Sequence, residues 1–231
     1  MALSEDMKVH IQSWEKIHAS RPWGIHPSED LVRFVTRQYG RKINRPELHV
    51  IDIGCGPGAN LTYLAREGFK LAGIDASATA IETIRKRFKK LNLPTNREKL
   101  DIRQGNFSKL PWGNNYFDLA IDIEAIYANP MEVIRNSINE ARRVIKPGGA
   151  FFGKMFGTKT TGFNTGELYE PNTSRNPTCG PCGGFGFAHF FTREEIELVF
   201  SDFSSLTIDW IHRSDKGETI VIFEWIITAV K

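Results

Sequence analysis

Apolar residues recur along this chain at two spacings, which predict strands and helices in turn. Short apolar runs predict strands at residues 48–53, 70–74, 101–104, 117–123 and 150–156. Between them, apolar residues three and four apart predict helices at about 60–67, 81–91 and 134–145. Ser28 is expected to cap an earlier helix that buries Leu31, Phe34 and Val35. Strands that alternate with helices in this way are typical of a parallel sheet.

The pattern changes after residue 156. Residues 157–187 contain seven glycines and are predicted to form a loop. Thr192 and Glu195 then have the spacing of a capping box, which predicts a helix. Two apolar segments at about 205–213 and 219–230 flank a turn sequence and predict an antiparallel hairpin. We therefore predict an α/β fold: a doubly wound, seven-stranded sheet, mostly parallel, with a C-terminal antiparallel hairpin and helices on both faces.

We interpret the 231 residues as a single domain. Its expected parts are an N-terminal cap and helix (1–45), a ligand-binding core (46–156), an insertion (157–190), and the final helix and hairpin (191–231). The hydrophobic share of 41% and charged share of 25% exclude a mainly disordered chain. The apolar runs are too short to cross a membrane, so no membrane contact is predicted.

The compartment and the class of partner follow from the N-terminus, the cysteines and the charge. The chain starts without the basic and apolar regions of a secretory signal, and it has three cysteines. A disulfide framework is therefore not expected, and we predict a cytoplasmic protein. The net charge of +3 is too small to indicate nucleic acid as a partner, which we consider unlikely. The oligomeric state is not predicted.

The first candidate for chemistry is the turn after the first strand, with Gly54, Gly56 and Gly58. Glycines between a strand and a helix let the backbone turn sharply and approach a ligand closely. The helix behind such a turn offers free backbone N–H groups. Asp75 ends the next strand, where a carboxylate can accept hydrogen bonds from both hydroxyls of a ribose. NAD and S-adenosylmethionine both carry such a ribose, so these residues alone leave both cofactors open.

Four segments together resemble the class I S-adenosylmethionine-dependent methyltransferases, in the order and spacing of that family. They are residues 50–58, with Asp52 and the glycine turn; 73–77, with Asp75; 105–107, with Asn106; and 141–149. The predicted closing hairpin also matches this family and does not match the usual NAD-binding fold. The resemblance implies S-adenosylmethionine as cofactor.

The resemblance implies a set of cofactor-binding residues: Asp52, Gly54, Gly56, Gly58, Asp75, Ala76, Asn106, Phe107 and, as part of an N-terminal cap, Trp23. Within this set, Asp52 would orient the turn near the methionine ammonium group, and Asp75 would hold the ribose. Asn106 stands where the family often has Asp, and its amide carbonyl can still accept a hydrogen bond from the adenine amino group. Phe107 would flank the adenine.

On the acceptor side, the resemblance places residues 122–127 beside the methyl group that is transferred. The candidate catalytic residues are Glu124, Tyr127 and His189, with Glu124 or His189 as the base for a hydroxyl acceptor. A salt-bridge or capping role for Glu124, and a hydrogen-bonded loop role for His189, remain alternatives. Lys154 and Glu167 are weaker candidates. The Pro-Pro-Tyr-type motif of enzymes that methylate amino groups of bases is absent.

The glycine-rich insertion is expected to shape the acceptor pocket. Together with the lack of an added RNA- or DNA-binding module, it indicates methyl transfer to a small polar acceptor, through a hydroxyl. The alternatives are methylation of RNA or protein, and a cofactor-binding module without catalysis.

Two further features are expected to carry no chemistry. Cys179 and Cys182 copy the spacing of a redox motif, but glycines follow where that motif starts a helix. No second Cys or His pair completes a zinc site, so we predict free thiols in a loop and no metal. The basic residues at 85–90 share a helix with an apolar stripe and are predicted to form a solvated face.

Overall fold

A computed structural model describes residues 5–20, 24–40 and 44–231. Its helices are α1 (Glu5–Ser20), α2 (Glu29–Gln38), α3 (Ala59–Arg66), α4 (Ala78–Lys90), α5 (Met131–Val144) and α6 (Arg193–Val199). Its strands are β1 (His49–Ile53), β2 (Lys70–Asp75), β3 (Leu100–Gln104), β4 (Phe117–Ile123), β5 (Ile145–Phe156), β6 (Glu167–Glu170), β7 (Thr173–Arg175), β8 (Phe187–His189), β9 (Ser205–Asp215) and β10 (Ile220–Val230).

The central sheet has seven strands in the order β3-β2-β1-β4-β5-β10-β9. The pairs from β3 to β5 are parallel, whereas β10 is antiparallel to both β5 and β9. This confirms the predicted fold, including the closing hairpin. β1 lies between β2 and β4, so the chain leaves β1 towards one edge and later fills the other. Ligands bind at such a switch point, outside the carboxyl ends of the strands.

Helices cover both faces of the sheet, as predicted. On one face α2, α3 and α4 bury apolar residues that include Leu31, Leu61 and Ile84. On the other face α5 and α6 bury Ile138 and Ile196. Because both faces are covered, the central strands are almost continuously buried, which explains their uninterrupted apolar runs. The exposed side of α4 carries Arg85, Lys86, Lys89 and Lys90, which confirms the predicted solvated face.

Helix α1 is an element that the apolar pattern did not predict. Its residues His10, Trp14 and His18 are spaced four apart and therefore lie on one side of the helix. His10 stacks near Phe187 at 5.3 Å between ring centroids. The Thr79 hydroxyl donates a hydrogen bond to Glu15, which fastens α1 to α4. Helix α1 thus lies across the ends of the parallel strands.

Residues 157–190 are more ordered than the predicted loop. They contain a second, three-stranded antiparallel sheet in the order β6-β7-β8. Its strands are only three or four residues long. Strands this short do not show the alternation of apolar and polar residues that predicts a strand. The glycines of this segment therefore indicated a loop.

No helix in residues 5–20, 24–40 and 44–231 is long and apolar enough to cross a membrane.

The capping box at the start of α6 is present as predicted and should contribute to the free energy of unfolding. The Thr192 hydroxyl accepts a hydrogen bond from Glu195 N at 3.2 Å, and the Glu195 carboxylate accepts one from Thr192 N at 2.8 Å. We expect Thr192→Ala to lower the free energy of unfolding by about 1 kcal/mol, measured by denaturant titration. Thr95→Ala is the control, because Thr95 is exposed. Equal effects of both substitutions would contradict the capping role.

Candidate functional site

Two adjoining cavities open at the switch point of the sheet. The first is lined by α1 and by the segments that follow β1, β2 and β3, and it includes Asp75 and Asn106. The second lies on the other side of the glycine turn, towards α2 and β10. Both cavities are lined by Trp14, Gly54, Gly56, Ile123 and Glu124, which we call the junction. A ligand in the first cavity and a ligand in the second would therefore meet at the junction.

The turn after β1 needs glycine for two different reasons. Gly54 has φ +68°, and a Cβ there would lie 2.2 Å from the Ala125 Cβ. No larger residue fits, because the turns after β1 and β4 are in direct contact. Gly58 has φ +80°, and a Cβ there would lie 2.7 Å from Ile84 Cγ1, which keeps α3 close to α4. Gly54 and Gly56 line the cavities, whereas Gly58 lines neither of them and serves helix packing.

Asp75 connects the glycine turn to the start of α4 and lines the first cavity. One of its carboxylate oxygens accepts a hydrogen bond from Gly56 N at 2.9 Å, and the other accepts one from Ser77 N at 2.8 Å. Ser77, and not Asp75, caps α4 by accepting from Ala80 N. Each carboxylate oxygen has a further acceptor position, so Asp75 can also receive hydrogen bonds from a ligand. Burial raises the pKa of Asp75.

The far wall of the first cavity follows β3. Asn106 and Phe107 line it, as does Ala76 after β2. The Asn106 side-chain oxygen accepts a hydrogen bond from Ser108 N at 2.8 Å, which fixes the orientation of the amide. The structure thus brings six of the predicted cofactor residues to one cavity: Gly54, Gly56, Asp75, Ala76, Asn106 and Phe107. The predicted residue Trp23 lies outside the described residues.

Asp52 lies behind the glycine turn and lines neither cavity. It is only 1% exposed, and one of its oxygens accepts no hydrogen bond from the described residues. Burial, followed by the charges of Asp122 and Asp75, raises the pKa of Asp52 well above its usual range. The Asp122 carboxyl is also fully buried, and burial raises its pKa to about 7. These buried carboxyls make the floor of the site favourable for a cation.

Glu124 follows β4 directly and stands at the junction. It has φ +60°, a left-handed conformation that is unusual for a residue other than glycine. Its carboxylate lies 3.5 Å from Lys154 Nζ, and Lys154 also lies 3.2 Å from Asp30 and 3.1 Å from Glu224. We call these four residues the charge cluster. Three carboxyl groups thus surround one ammonium group in the wall of the second cavity.

The pKa values in the charge cluster follow from burial and from this excess of acids. Burial, and then the neighbouring Glu224, raises the pKa of Glu124 to about 8, although Lys154 opposes the shift. For Glu224, burial alone would raise the pKa, but its contacts with Glu124 and Lys154 lower it. Burial alone would lower the pKa of Lys154, but the three carboxylates raise it. Lys154 therefore stays charged, and Glu124 is the member that titrates near neutral pH.

Tyr127 lines the second cavity, close to Cys182. The Cys182 thiol lies 3.8 Å from the Tyr127 hydroxyl. Burial raises the pKa of Tyr127 well above its usual range, so its hydroxyl stays neutral. Cys182 itself is fully buried in the main apolar cluster, which corrects the prediction that both thiols lie free in a loop. Cys179 is exposed as predicted.

The structure does not bring His189 to the site, contrary to the prediction. Its side chain is 0% exposed and lines neither cavity. One ring nitrogen lies 2.7 Å from the Thr173 hydroxyl, and the other lies 3.5 Å from the Glu195 carboxylate at the start of α6. His189 is on β8, and the pairing of β8 with β7 sets it opposite Thr173.

Several site residues were missed or underrated in the sequence. The aromatic stripe of α1 brings Trp14 to the junction and His10 to the first cavity, and its four-residue spacing was the available signal. Glu224 sits in a mostly apolar strand, where a lone acid is a signal of a buried ion pair. Its partner Lys154 lies 70 residues earlier, so the pair is visible only in the folded chain.

No group of three or more His, Cys, Asp or Glu side chains in the part of the chain that the structure describes is arranged to hold a metal ion.

Comparison with known proteins agrees with this geometry. A family model described as a methyltransferase domain matches residues 50–149, from β1 to the turn within β5. An uncharacterised methyltransferase of Synechocystis is 33% identical over 106 residues, which are 46% of this chain and 46% of that protein. A fatty-acid O-methyltransferase of Mycolicibacterium smegmatis is 30% identical over 138 residues, which are 56% of this chain and 47% of that protein. The match thus spans less than half the length of either relative.

A solved structure shares the fold over the whole chain. It is a magnesium protoporphyrin IX methyltransferase from Synechocystis with bound S-adenosylmethionine. The TM-score is 0.67 at 14% identity, and the match covers 100% of this chain and 99% of that one. At this identity the likeness concerns the fold, which includes segments outside the matched domain.

The three cysteines should differ sharply in reactivity. Cys179 is exposed, whereas Cys55 and Cys182 are buried. Burial raises the pKa of Cys182 to about 12 and that of Cys55 well above its usual range. We expect one thiol of the native protein to react with a thiol reagent more than about tenfold faster than the other two, because the thiolate is the reactive form. Cys179→Ser should remove the fast phase. Two fast thiols in the native protein would contradict the burial of Cys182.

Proposed function

We propose that this chain, whose residues 50–149 match a methyltransferase domain, is a class I S-adenosylmethionine-dependent methyltransferase and transfers a methyl group from S-adenosylmethionine to a hydroxyl of a small polar acceptor. The observation that carries this proposal is the junction, where the two cavities meet beside the glycine turn and Glu124. The cofactor of this family fits the residues of the first cavity, and the second cavity supplies room for an acceptor. We further propose that the whole chain is one catalytic domain.

The residues of the first cavity fit the cofactor. Asp75 would bind the ribose hydroxyls, Asn106 and Phe107 would contact the adenine beside Ala76, and Gly54 and Gly56 would lie against the methionine part. Asp52 would act indirectly, through the turn and through its charge. The buried carboxyls around the junction suit a cationic ligand, and Asp52 has an oxygen that accepts no hydrogen bond from the described residues.

When bound, S-adenosylmethionine supplies an electrophilic methyl group and a neutral thioether leaving group. The protein would align the acceptor in line with that methyl group and would remove the hydroxyl proton. Glu124 is the group placed to accept this proton, because it lines both cavities at the junction. Alignment of the acceptor with the methyl group, together with exclusion of water, accounts for much of the rate enhancement in such a transfer.

A small acceptor fits the walls of the second cavity better than a macromolecule. Trp14 comes from α1, Phe156 ends β5, and Pro181 and Phe185 come from the segment that joins β7 and β8. Three separate segments of the chain thus line the cavity together with Glu124. We therefore propose that residues 157–190 help to form the acceptor pocket.

The first experiment is a binding and turnover test on the whole protein. Calorimetry should show binding of S-adenosylmethionine and S-adenosylhomocysteine and no binding of NAD. Formation of S-adenosylhomocysteine should then be screened with small hydroxylated compounds and with RNA and protein. Binding of NAD alone would overturn the cofactor, and turnover with RNA or protein alone would overturn the acceptor class.

Asp75→Ala should weaken the binding of S-adenosylhomocysteine by about 1.5–3 kcal/mol, since a charged acceptor of hydrogen bonds is removed. The measurement is calorimetry on the folded variant. Ser77→Ala is the matched control, because it removes the cap of α4 without touching the cavity. It should reduce stability and leave the dissociation constant nearly unchanged. Equal dissociation constants for the wild type and Asp75→Ala would show that Asp75 serves the turn alone.

Glu124→Gln should lower kcat by about 10²- to 10⁴-fold, the usual contribution of a general base. In the wild type, kcat/KM for the cofactor should rise with pH, reach half of its plateau near pH 8 and level off above it, because the ionised form of Glu124 is required and its pKa is about 8 in the free protein. The variant should lose this rise. Glu98→Gln, at an exposed position, is the control. An unchanged pH profile in Glu124→Gln would exclude Glu124 as the base.

A further inference from the structure

We infer that Glu124 and Glu224 share one proton in the free protein and release it when a sulfonium cation binds at the junction. The site would thereby prefer the charged cofactor over its uncharged thioether product. This inference rests on the proposed function and assigns a specificity-determining role to the charge cluster, which no comparison with known proteins describes.

The first support is the geometry of the two carboxyl groups. Glu124 follows β4 and Glu224 lies within β10, and both approach Lys154 Nζ, at 3.5 Å and 3.1 Å. The two carboxyl groups are thus held against the same ammonium group from two different strands. Like charges that share one site disfavour each other's ionised form, so two carboxyl groups there seldom ionise together. This geometry favours one proton on the pair.

The second support is the unsatisfied acceptor capacity of Glu224. This side chain is 1% exposed, and neither of its oxygens has a hydrogen-bond partner among the described residues. Lys154, at 3.1 Å, compensates only part of the charge. A proton on the pair would remove one negative charge, and Glu124 is the more accessible of the two residues, with 36% of its side chain exposed. The proton of the pair is therefore on Glu124, the residue that lies at the junction.

The third support is the charge balance around the pair. Three carboxyl groups face one ammonium, so full ionisation would leave two uncompensated negative charges in a buried place. The charged and titratable groups that share the cavities of Glu124 or contact the pair come from every neighbouring element: His10 and His18 of α1, His26 before α2, Glu29 and Asp30 of α2, Asp75 of β2, Asp122 of β4, Tyr127, Lys154 of β5, Cys182, Arg213 of β9 and Glu224. Within 4.0 Å of Glu124, Lys154 is the cation among the described residues.

A sulfonium at the junction changes this balance. A positive charge beside a carboxyl group favours its ionised form, so the pair would lose its proton to solvent as the cofactor binds. Linkage is reciprocal, so loss of the proton strengthens the binding of the sulfonium. The thioether product has no such charge and leaves the pair protonated. Each unit by which the sulfonium lowers the pKa of the pair corresponds to about tenfold in affinity.

The proton lost from the pair on cofactor binding is replaced by the proton that the acceptor loses in the reaction. On transfer, the S–CH3 bond breaks with its electrons going to sulfur, an O–CH3 bond forms, and the acceptor O–H proton passes to Glu124. The pair then holds a proton again and faces a neutral sulfur. The attraction that held the cofactor is lost, which favours release of the product.

The test compares the affinity of the whole protein for S-adenosylmethionine and for S-adenosylhomocysteine between pH 6 and pH 8.5, by calorimetry. The ratio of the two dissociation constants should change about tenfold over this range in favour of the sulfonium as the pH rises. At pH 7, titrations in buffers of different ionisation enthalpy should show more proton release with the sulfonium. The amino group of the ligand also titrates, but its contribution is common to the wild type and the variants.

Glu124→Gln and Glu224→Gln should each flatten the ratio, because neither variant can share a proton between two carboxyl groups. Glu218→Gln, at an exposed position in the turn between β9 and β10, should keep the pH dependence of the wild type. A flat ratio in the wild type, with both ligands bound, would overturn this inference and leave the methyltransferase proposal standing. A ratio that keeps its pH dependence in both Gln variants would also overturn it. If neither ligand binds, the proposed function fails as well.

Discussion

The contact between the turns after β1 and β4 is the constraint on which the site depends. Gly54 approaches Ala125 so closely that a Cβ at position 54 would overlap the Ala125 side chain. This approach is possible because β1 and β4 are neighbours in the sheet. After β1 the chain forms β2 and β3 on one side of it and then returns to form β4 on the other side. Glu124, the residue before Ala125, has a left-handed backbone conformation, and its side chain lies at the border of both cavities. A strained residue at such a place is a recurrent property of functional sites.

The charged groups around the junction determine which kind of ligand this geometry suits. Asp52, Asp122 and Glu224 are almost fully buried, and each has an oxygen that accepts no hydrogen bond from the described residues. Buried carboxyl groups in this state are unfavourable unless a proton or a cation compensates them. Lys154 compensates one side of the second cavity, and a cationic ligand would compensate the junction. The charges around the junction are thus complementary to a cationic ligand.

The parts of this molecule that were predictable from sequence are those determined by neighbours along the chain. The β4 strand at 117–123, the capping box at Thr192 and the glycine turn all rest on short-range patterns, and each is present at the predicted position. The alternation of strands and helices was enough to predict a mostly parallel sheet with helices on both faces, because parallel strands need crossover connections of this kind.

The parts that were not predictable depend on contacts between distant segments. His189 was expected at the site because it lies at the end of the insertion, but the small sheet of β6, β7 and β8 places its ring beside Thr173. That sheet is built from strands too short to show a pattern. The charge cluster joins α2, β4, β5 and β10, and no spacing in the sequence relates Lys154 to Glu224. Likewise the pKa of Asp52 is raised by burial and then by the charges of Asp122 and Asp75, which come from two other strands.

The charge cluster is better explained by function than by stability. Removing charges from water is unfavourable, and a buried ion pair is often no more stabilising than apolar residues of the same size. Here the arrangement is less favourable still, because three acids compete for one lysine. Stability alone would be served by an apolar residue at position 224, which lies in a strand whose other buried residues are apolar. An acid at that position instead raises the pKa of Glu124 towards neutrality, where a proton can be lost and regained as the charge at the junction changes. The energetic disadvantage of the cluster in the free protein is therefore the property that couples it to a cationic ligand.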